Sequence, residues 1–218
     1  MPLSSQSPQV RAVNATAMQG GPGEPVLQSQ RIFRALMEAM ARPGRVMPLA
    51  TDTLPPMPLT PLSATVLFTL ADANTPVWLD EGLMSEPTVA DWLTFHIGAP
   101  IVEDPVFANF AVISDWSAAP SLELFSKGDQ DYPDQSATLI VQVESLKEGS
   151  GWELQGPGIK DRHLLAVEPL APLFVDQWRA NHALFPRGVD ILFVAPDAVA
   201  GLPRTTAITA LDAGNGGH

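Results

Sequence analysis

The chain has 218 residues, 45% of them hydrophobic, which is enough apolar material to fill one sizeable core in a single domain. Acidic residues outnumber basic ones 24 to 12, and the resulting formal charge of -12 argues against nucleic acid or an anionic membrane surface as a partner. With no cysteine, the chain itself offers no disulfide, thiolate nucleophile, Cys-ligated zinc or Cys-bound iron-sulfur cluster.

Residues 1–25 are rich in Ser, Gln, Pro and Gly and lack apolar periodicity, so they are expected to form a mobile or partner-draped arm. A single α/β domain is expected over 26–210, followed by a short flexible tail at 211–218. From Ser29 to Ala41 the apolar residues Ile32, Phe33, Leu36, Met37 and Met40 recur at helical spacing, and Pro43-Gly44 stops the helix. Arg45 to Leu49 reads as a short strand and Thr53 to Pro61 as a proline-broken loop. Thr60-Pro61 supplies an N-cap and a favoured first helical residue for a buried helix over Ala64 to Ala71. The turn Asp72-Ala73-Asn74-Thr75 leads into a strand at Pro76 to Leu79, and a helix from Ser85 and Pro87 carries Val89, Trp92, Leu93 and His96 before Gly98 ends it.

Further on, Asn109 to Ile113 reads as a strand, Ala118 to Phe125 as a helix, and Lys127 to Gln135 as a polar loop. Thr138 to Val143 and Ile191 to Val194 are continuously apolar and β-branched, as strands covered on both faces are, and should form the sheet centre. Between them the sequence predicts a short strand at Trp152 to Leu154, a glycine turn at Gly156-Pro157-Gly158 and a helix from about Ala171 to Ala183. The fold class is therefore α/β, with a mixed central sheet flanked by helices. The N-terminus lacks a charged-then-apolar secretory pattern. No apolar run approaches the roughly 20 residues that cross a bilayer, which predicts a soluble cytoplasmic protein without membrane contact.

The candidate chemistry is sparse. Gly156-Pro157-Gly158 lacks the further glycine and the following helix of a phosphate-cradling loop and reads as a tight turn. His96, His163, His182 and His218 show no metal-ligand spacing, so no metal site is expected. Lys127, Lys147 and Lys160 sit in polar stretches, unlike the desolvated amine of a Schiff-base lysine, and no cofactor is expected. Arg34 interrupts the apolar face of the first helix, and Arg204 precedes Thr205-Thr206; guanidinium, hydroxyls and loop amides together suit a phosphate or phosphonate oxyanion. The same spacing fits a salt bridge to a carboxylate, with Asp72 and Asp190 as partners. Asp72 at its turn reads either as a ligand group or as the residue of an Asx-turn, and His96 either as a site residue or as a helix-end contact. The candidate ligand-binding set is Arg34, Asp72, Thr75, His96, Asp190, Arg204, Thr205 and Thr206, polar residues at element ends, where α/β sheets place ligands. No nucleophile-base pair is seen, and no catalytic residue is assigned.

The string of segments is more distinctive than any one motif. Phe33-Arg34 with Ala39-Met40 and Pro43-Gly44, Leu70-Ala71-Asp72 with Thr75-Pro76-Val77-Trp78-Leu79, and Phe95-His96 with Ala99-Pro100 are joined by Ala137-Thr138-Leu139-Ile140 and Leu154 with Gly156-Pro157-Gly158-Ile159. Phe185-Pro186 with Gly188-Val189-Asp190 and Leu202-Pro203-Arg204-Thr205-Thr206 complete it, covering roughly Gln28 to Thr209. In this order the segments resemble the PhnH family of carbon-phosphorus lyase subunits. The departures are the N-terminal arm, the acidic loop Asp129 to Asp134 and the glycine-rich tail. The resemblance implies a fold like the large domain of pyridoxal-phosphate-dependent transferases, without the cofactor, and a homodimer. It further implies a core assembly with PhnG, PhnI and PhnJ that forms a ribose 1-phosphonate 5-triphosphate from ATP and an alkylphosphonate. Carbon-phosphorus cleavage then falls to PhnJ, with S-adenosylmethionine and an iron-sulfur cluster that a cysteine-free chain cannot hold. The subunit's expected role is structural, with a pocket for an anionic small molecule. Readings from other classes are a free-standing enzyme acting on a phosphorylated metabolite and a phosphonate-binding module.

Overall fold

In the computed structural model, residues 19–169 and 173–210 are described; residues 1–18 of the expected arm at 1–25 and the tail at 211–218 lie outside them. Helix α1 spans Pro25–Ala41, starting before the expected Ser29 because Pro25 is tolerated in a first turn whose N–H groups are unpaired anyway. Its buried face is Ile32, Leu36 and Ala39, whereas Phe33 and Met37 are 48% and 45% exposed. The apolar pattern therefore splits into a core stripe and an outward stripe. Gly44 stands at φ 79°, a left-handed conformation that ends the run.

Strand β1 (Met47–Pro48) follows, then α2 (Pro61–Leu70), β2 (Val77–Leu79), a short α3 (Glu81–Met84), α4 (Pro87–Ile97), β3 (Ile101–Val102) and β4 (Phe110–Ile113). Thr60 is the N-cap of α2 as expected, but its hydroxyl donates to Ser63 Oγ (2.9 Å) instead of capping a backbone N–H. Gly98 at φ 77° closes α4 in the left-handed conformation the sequence called for. The helix expected at Ala118 to Phe125 is instead a pair of 3-10 turns, Trp116–Ala118 and Leu122–Leu124. Pro120 between them has no N–H to carry an i to i−4 ladder. The remaining elements are β5 (Thr138–Gln142), β6 (Ser145–Gln155), β7 (His163–Glu168), α5 (Phe174–His182), β8 (Asp190–Val194), β9 (Ala198–Leu202) and β10 (Ala207–Ala210). The start expected for α5 near Ala171 falls outside the described residues.

Seven strands form a mixed sheet in the order β1-β9-β8-β5-β4-β2-β3. The run from β3 to β8 is parallel throughout, and β9 then pairs antiparallel with β8 and with β1. The mixed α/β architecture and the central place of β5 and β8 follow the sequence reading. Alternate residues of these strands enter opposite cores: Ile140, Leu192 and Val194 pack with Ile32, Leu62 and Trp92. Leu139, Val141, Ile191 and Phe193 pack with Trp152, Leu165 and Trp178. Both faces are thus covered, one by α1, α2 and α4, the other by α5 and a second, three-stranded antiparallel sheet in the order β10-β6-β7. That small sheet was foreseen only at Trp152 to Leu154. Phe174 ties it to the large sheet, with ring centroids 4.8 Å from Trp152 and 6.1 Å from Phe193.

The parallel run has one consequence for function. The amino ends of β2, β4, β5 and β8 all emerge on one side of the large sheet and their carboxyl ends on the other, and ligands of open α/β sheets bind at carboxyl ends.

Candidate functional site

The most elaborate polar cluster centres on Arg204, in the turn between β9 and β10. Its Nε lies 3.1 and 3.2 Å from the two carboxylate oxygens of Asp190, and its Nη2 donates to Asp190 Oδ2 and to Ser136 Oγ. Nη1 donates to the carbonyls of Pro133 (2.9 Å) and Pro186 (3.5 Å), while the backbone N–H of Arg204 donates to Asp190 Oδ1 at 2.7 Å. Every N–H of the guanidinium thus has a protein acceptor, and the pair is largely buried, with side-chain exposures of 12% and 17%. The salt bridge that the sequence allowed is formed with Asp190, not with Asp72. The oxyanion reading of Arg204 finds no spare donor. Asp190 opens β8 and Ser136 precedes β5, so the cluster clamps the amino ends of the parallel strands, on the side of the sheet away from their carboxyl ends.

Thr205 and Thr206 continue the same turn. Thr206 N donates to Pro203 O (2.8 Å), Thr206 O accepts from Trp178 Nε1 (2.7 Å), and the Thr206 hydroxyl is fully buried without a partner among the described residues. Asp72 and Thr75 close on each other. Asp72 Oδ1 accepts from Asn74 N (2.8 Å) and the Thr75 hydroxyl donates to Asp72 O (3.0 Å), which is an Asx-turn before β2, again at an amino end. His96 lies in the last turn of α4 with its ring 4.4 Å from Trp92 and 5.0 Å from Phe95. Gly21 covers it so closely that a Cβ there would stand 2.9 Å from the imidazole, and His96 Nε2 is buried without a hydrogen bond. Arg34 is exposed beside Arg31, Glu38 and the β1 segment. Among the described residues no hydrogen bond joins these four places, so the eight predicted residues do not converge on one pocket.

The carboxyl ends of the strands carry residues that the sequence reading passed over. Asp80, 7% exposed just after β2, accepts hydrogen bonds from Leu83 N (3.0 Å), Ser114 N (2.6 Å), Asp115 N (3.1 Å) and the Ser114 hydroxyl. It caps α3 and ties β2 to the end of β4; the signal was an aspartate directly between a strand and a helix start. Gln142, at the end of β5, accepts from Thr60 N (2.7 Å) and donates to Pro58 O (3.0 Å). Next to Asp80, hydrogen bonds from the hydroxyl and then the backbone N–H of Ser117 hold the Asp115 carboxyl below the usual carboxylate range. These carboxyl-end groups serve one another, and no group of three or more metal-ligating side chains is arranged to hold an ion among the described residues.

Comparison with known proteins supplies what the polar clusters do not. The family described as bacterial phosphonate metabolism protein (PhnH) matches residues 20–209. The chain is 42% identical over 189 residues, covering 87% of this chain and 94% of the relative, to the alpha-D-ribose 1-methylphosphonate 5-triphosphate synthase subunit PhnH of Rhizobium meliloti (strain 1021). It is 32% identical over 210 residues, 90% of this chain and 96% of the relative, to a Stutzerimonas stutzeri protein named "Putative C-P lyase subunit protein HtxG".

Proposed function

This chain belongs to the PhnH family, and from that premise we propose that it is a subunit of the carbon-phosphorus lyase core complex, acting in formation of alpha-D-ribose 1-methylphosphonate 5-triphosphate. The observation that carries the reading is end-to-end similarity to a subunit of that synthase. The internal satisfaction of the polar clusters agrees with it: Arg204, Asp72 and Asp80 hold the fold together and form no reactive constellation. The partners we assign are PhnG, PhnI and PhnJ, together with a second copy of this chain. We read the large sheet as that of the large domain of pyridoxal-phosphate-dependent transferases, working without the cofactor. In support, Lys147 and Lys160 are exposed and Lys127 donates to the Glu123 carbonyl at 2.9 Å, so none is the desolvated amine a Schiff base requires.

The surface we assign to subunit contact is the outward stripe of α1. Val26, Phe33 and Met37 recur at intervals of one and two helical turns, and all three are exposed. Co-expression of the four subunits tests the function. A complex lacking this chain is expected to lose synthesis of the triphosphate from ATP and methylphosphonate, and unimpaired synthesis would overturn the proposal.

A further inference from the structure

On a chain of formal charge -12, one shallow cavity gathers five basic side chains in its lining. It opens where the end of α1 meets the turn between β6 and β7, and it encloses about 330 Å³. Arg42 and Arg45 line it from one segment and Lys160, Arg162 and His163 from the other, against the single carboxylate of Glu148. Arg42 engages Glu38 through Nε at 3.0 Å and Arg162 engages Glu153 through Nη1 at 3.2 Å, so each keeps further guanidinium donors in hand. Arg45 and Lys160 make no ion pair among the described residues. His163 Nε2 is buried and stands 3.2 Å from Glu148 Oε2, but without hydrogen-bond geometry.

Cations at a helix C-terminus complement its dipole, which accounts for Arg42, the C-cap residue of α1. It does not account for Lys160, Arg162 and His163, which arrive from a different part of the chain. They are brought there because Gly158, at φ 83°, lets its turn lie directly on the Ala41 carbonyl, where any Cβ would collide. We propose that this pocket binds the phosphoryl chain of an anionic ligand, the triphosphate group of the kind that the synthase handles. The assignment rests on the function proposed above. Guanidinium forks match phosphate oxygens, and the cavity lies near the small end of ligand pockets, about 300 Å³, with room for linked phosphates and not for a whole nucleotide.

The probe is inorganic tripolyphosphate, titrated calorimetrically into the full-length protein. Arg45→Ala combined with Lys160→Ala is expected to weaken binding by about tenfold or more. Arg179→Ala combined with Arg187→Ala removes the same charge elsewhere and should change affinity by less than about twofold. No binding by the unsubstituted protein overturns the proposal, as does equal weakening by the two double variants, which would leave only a general field. Competition by a hexa-aspartate peptide on equal terms also overturns it, since the pocket would then be a seat for an acidic protein segment. Thermal melts of each variant confirm folding, and should the first pair unfold, Lys160→Gln alone supplies the reading. Co-purification with PhnG, PhnI and PhnJ is scored separately. Intact assembly without tripolyphosphate binding sinks only this inference, and failure of the unsubstituted protein to assemble sinks the subunit assignment itself.

Discussion

Arg204 shows how far a single side chain can be committed to structure. Its guanidinium joins the Pro133 and Ser136 loop, the Pro186 turn and the start of β8. Replacing it by alanine leaves the Asp190 carboxylate mostly buried and unpaired, which for such pairs costs about 3–5 kcal/mol. Arg204→Ala is therefore expected to lower the urea midpoint of unfolding substantially without a change in slope, and a loss below about 1 kcal/mol would show that solvent replaces the clamp. Both members of this pair could be named from the sequence, because an arginine just before a strand and an aspartate opening one are visible there. Which carboxylate the arginine meets was not visible, since Asp72 and Asp190 differ only in tertiary position. Asp80 was missed because its three backbone donors come from α3 and from the end of β4, a convergence that no local pattern encodes.

At the scale of elements, α1 lies on the large sheet at the closest approach backbone permits. A Cβ added at Gly201 of β9 would sit 2.6 Å from the Ala39 carbonyl. Gly201→Val should push the helix outward and destabilise the fold by about 1–3 kcal/mol through overpacking, read by thermal unfolding, with a neutral effect arguing that α1 slides freely. β5 and β8 were legible because they are β-branched, apolar and bounded by turn residues. β9, with the sequence Ala-Val-Ala-Gly-Leu, was not: its small residues have little intrinsic strand preference, and pairing with β8 and β1 makes it a strand. The first half of β6 escaped notice for a related reason. Lys147, Glu148, Gly149 and Gly151 carry no apolar alternation, and their ladder to β7 slips in register between Glu148 and Trp152. The α1 periodicity misled in the opposite sense, merging the buried stripe of Ile32 and Leu36 with the exposed Phe33 and Met37. Period alone cannot distinguish a face that meets the core from one that meets another molecule.

For the molecule as a whole, the contact proposed for that second face of α1 can be tested apart from the fold. Phe33→Asp with Met37→Asp removes apolar surface that is already about half exposed, so the melting temperature of the isolated protein should hold within the range of surface substitutions, roughly 0.5 kcal/mol. The same variant should fail to co-purify with its partner subunits; retention at unsubstituted levels would place the contact elsewhere. The family could be recognised from the order of its segments, whereas the basic pocket could not. Arg42 and Arg45 are far from Lys160, Arg162 and His163 along the chain and meet only because the Gly158 turn folds onto α1. The pairing of β1 with β9 has a bearing on biosynthesis. β1, which follows the first helix, pairs in the large sheet with β9 alone among the described residues, so its ladder joins residues 47–48 to 198–199. A ribosome-bound chain that has not yet released residues 198–202 therefore holds β1 without its ladder, so this edge of the large sheet closes only after β9 has emerged.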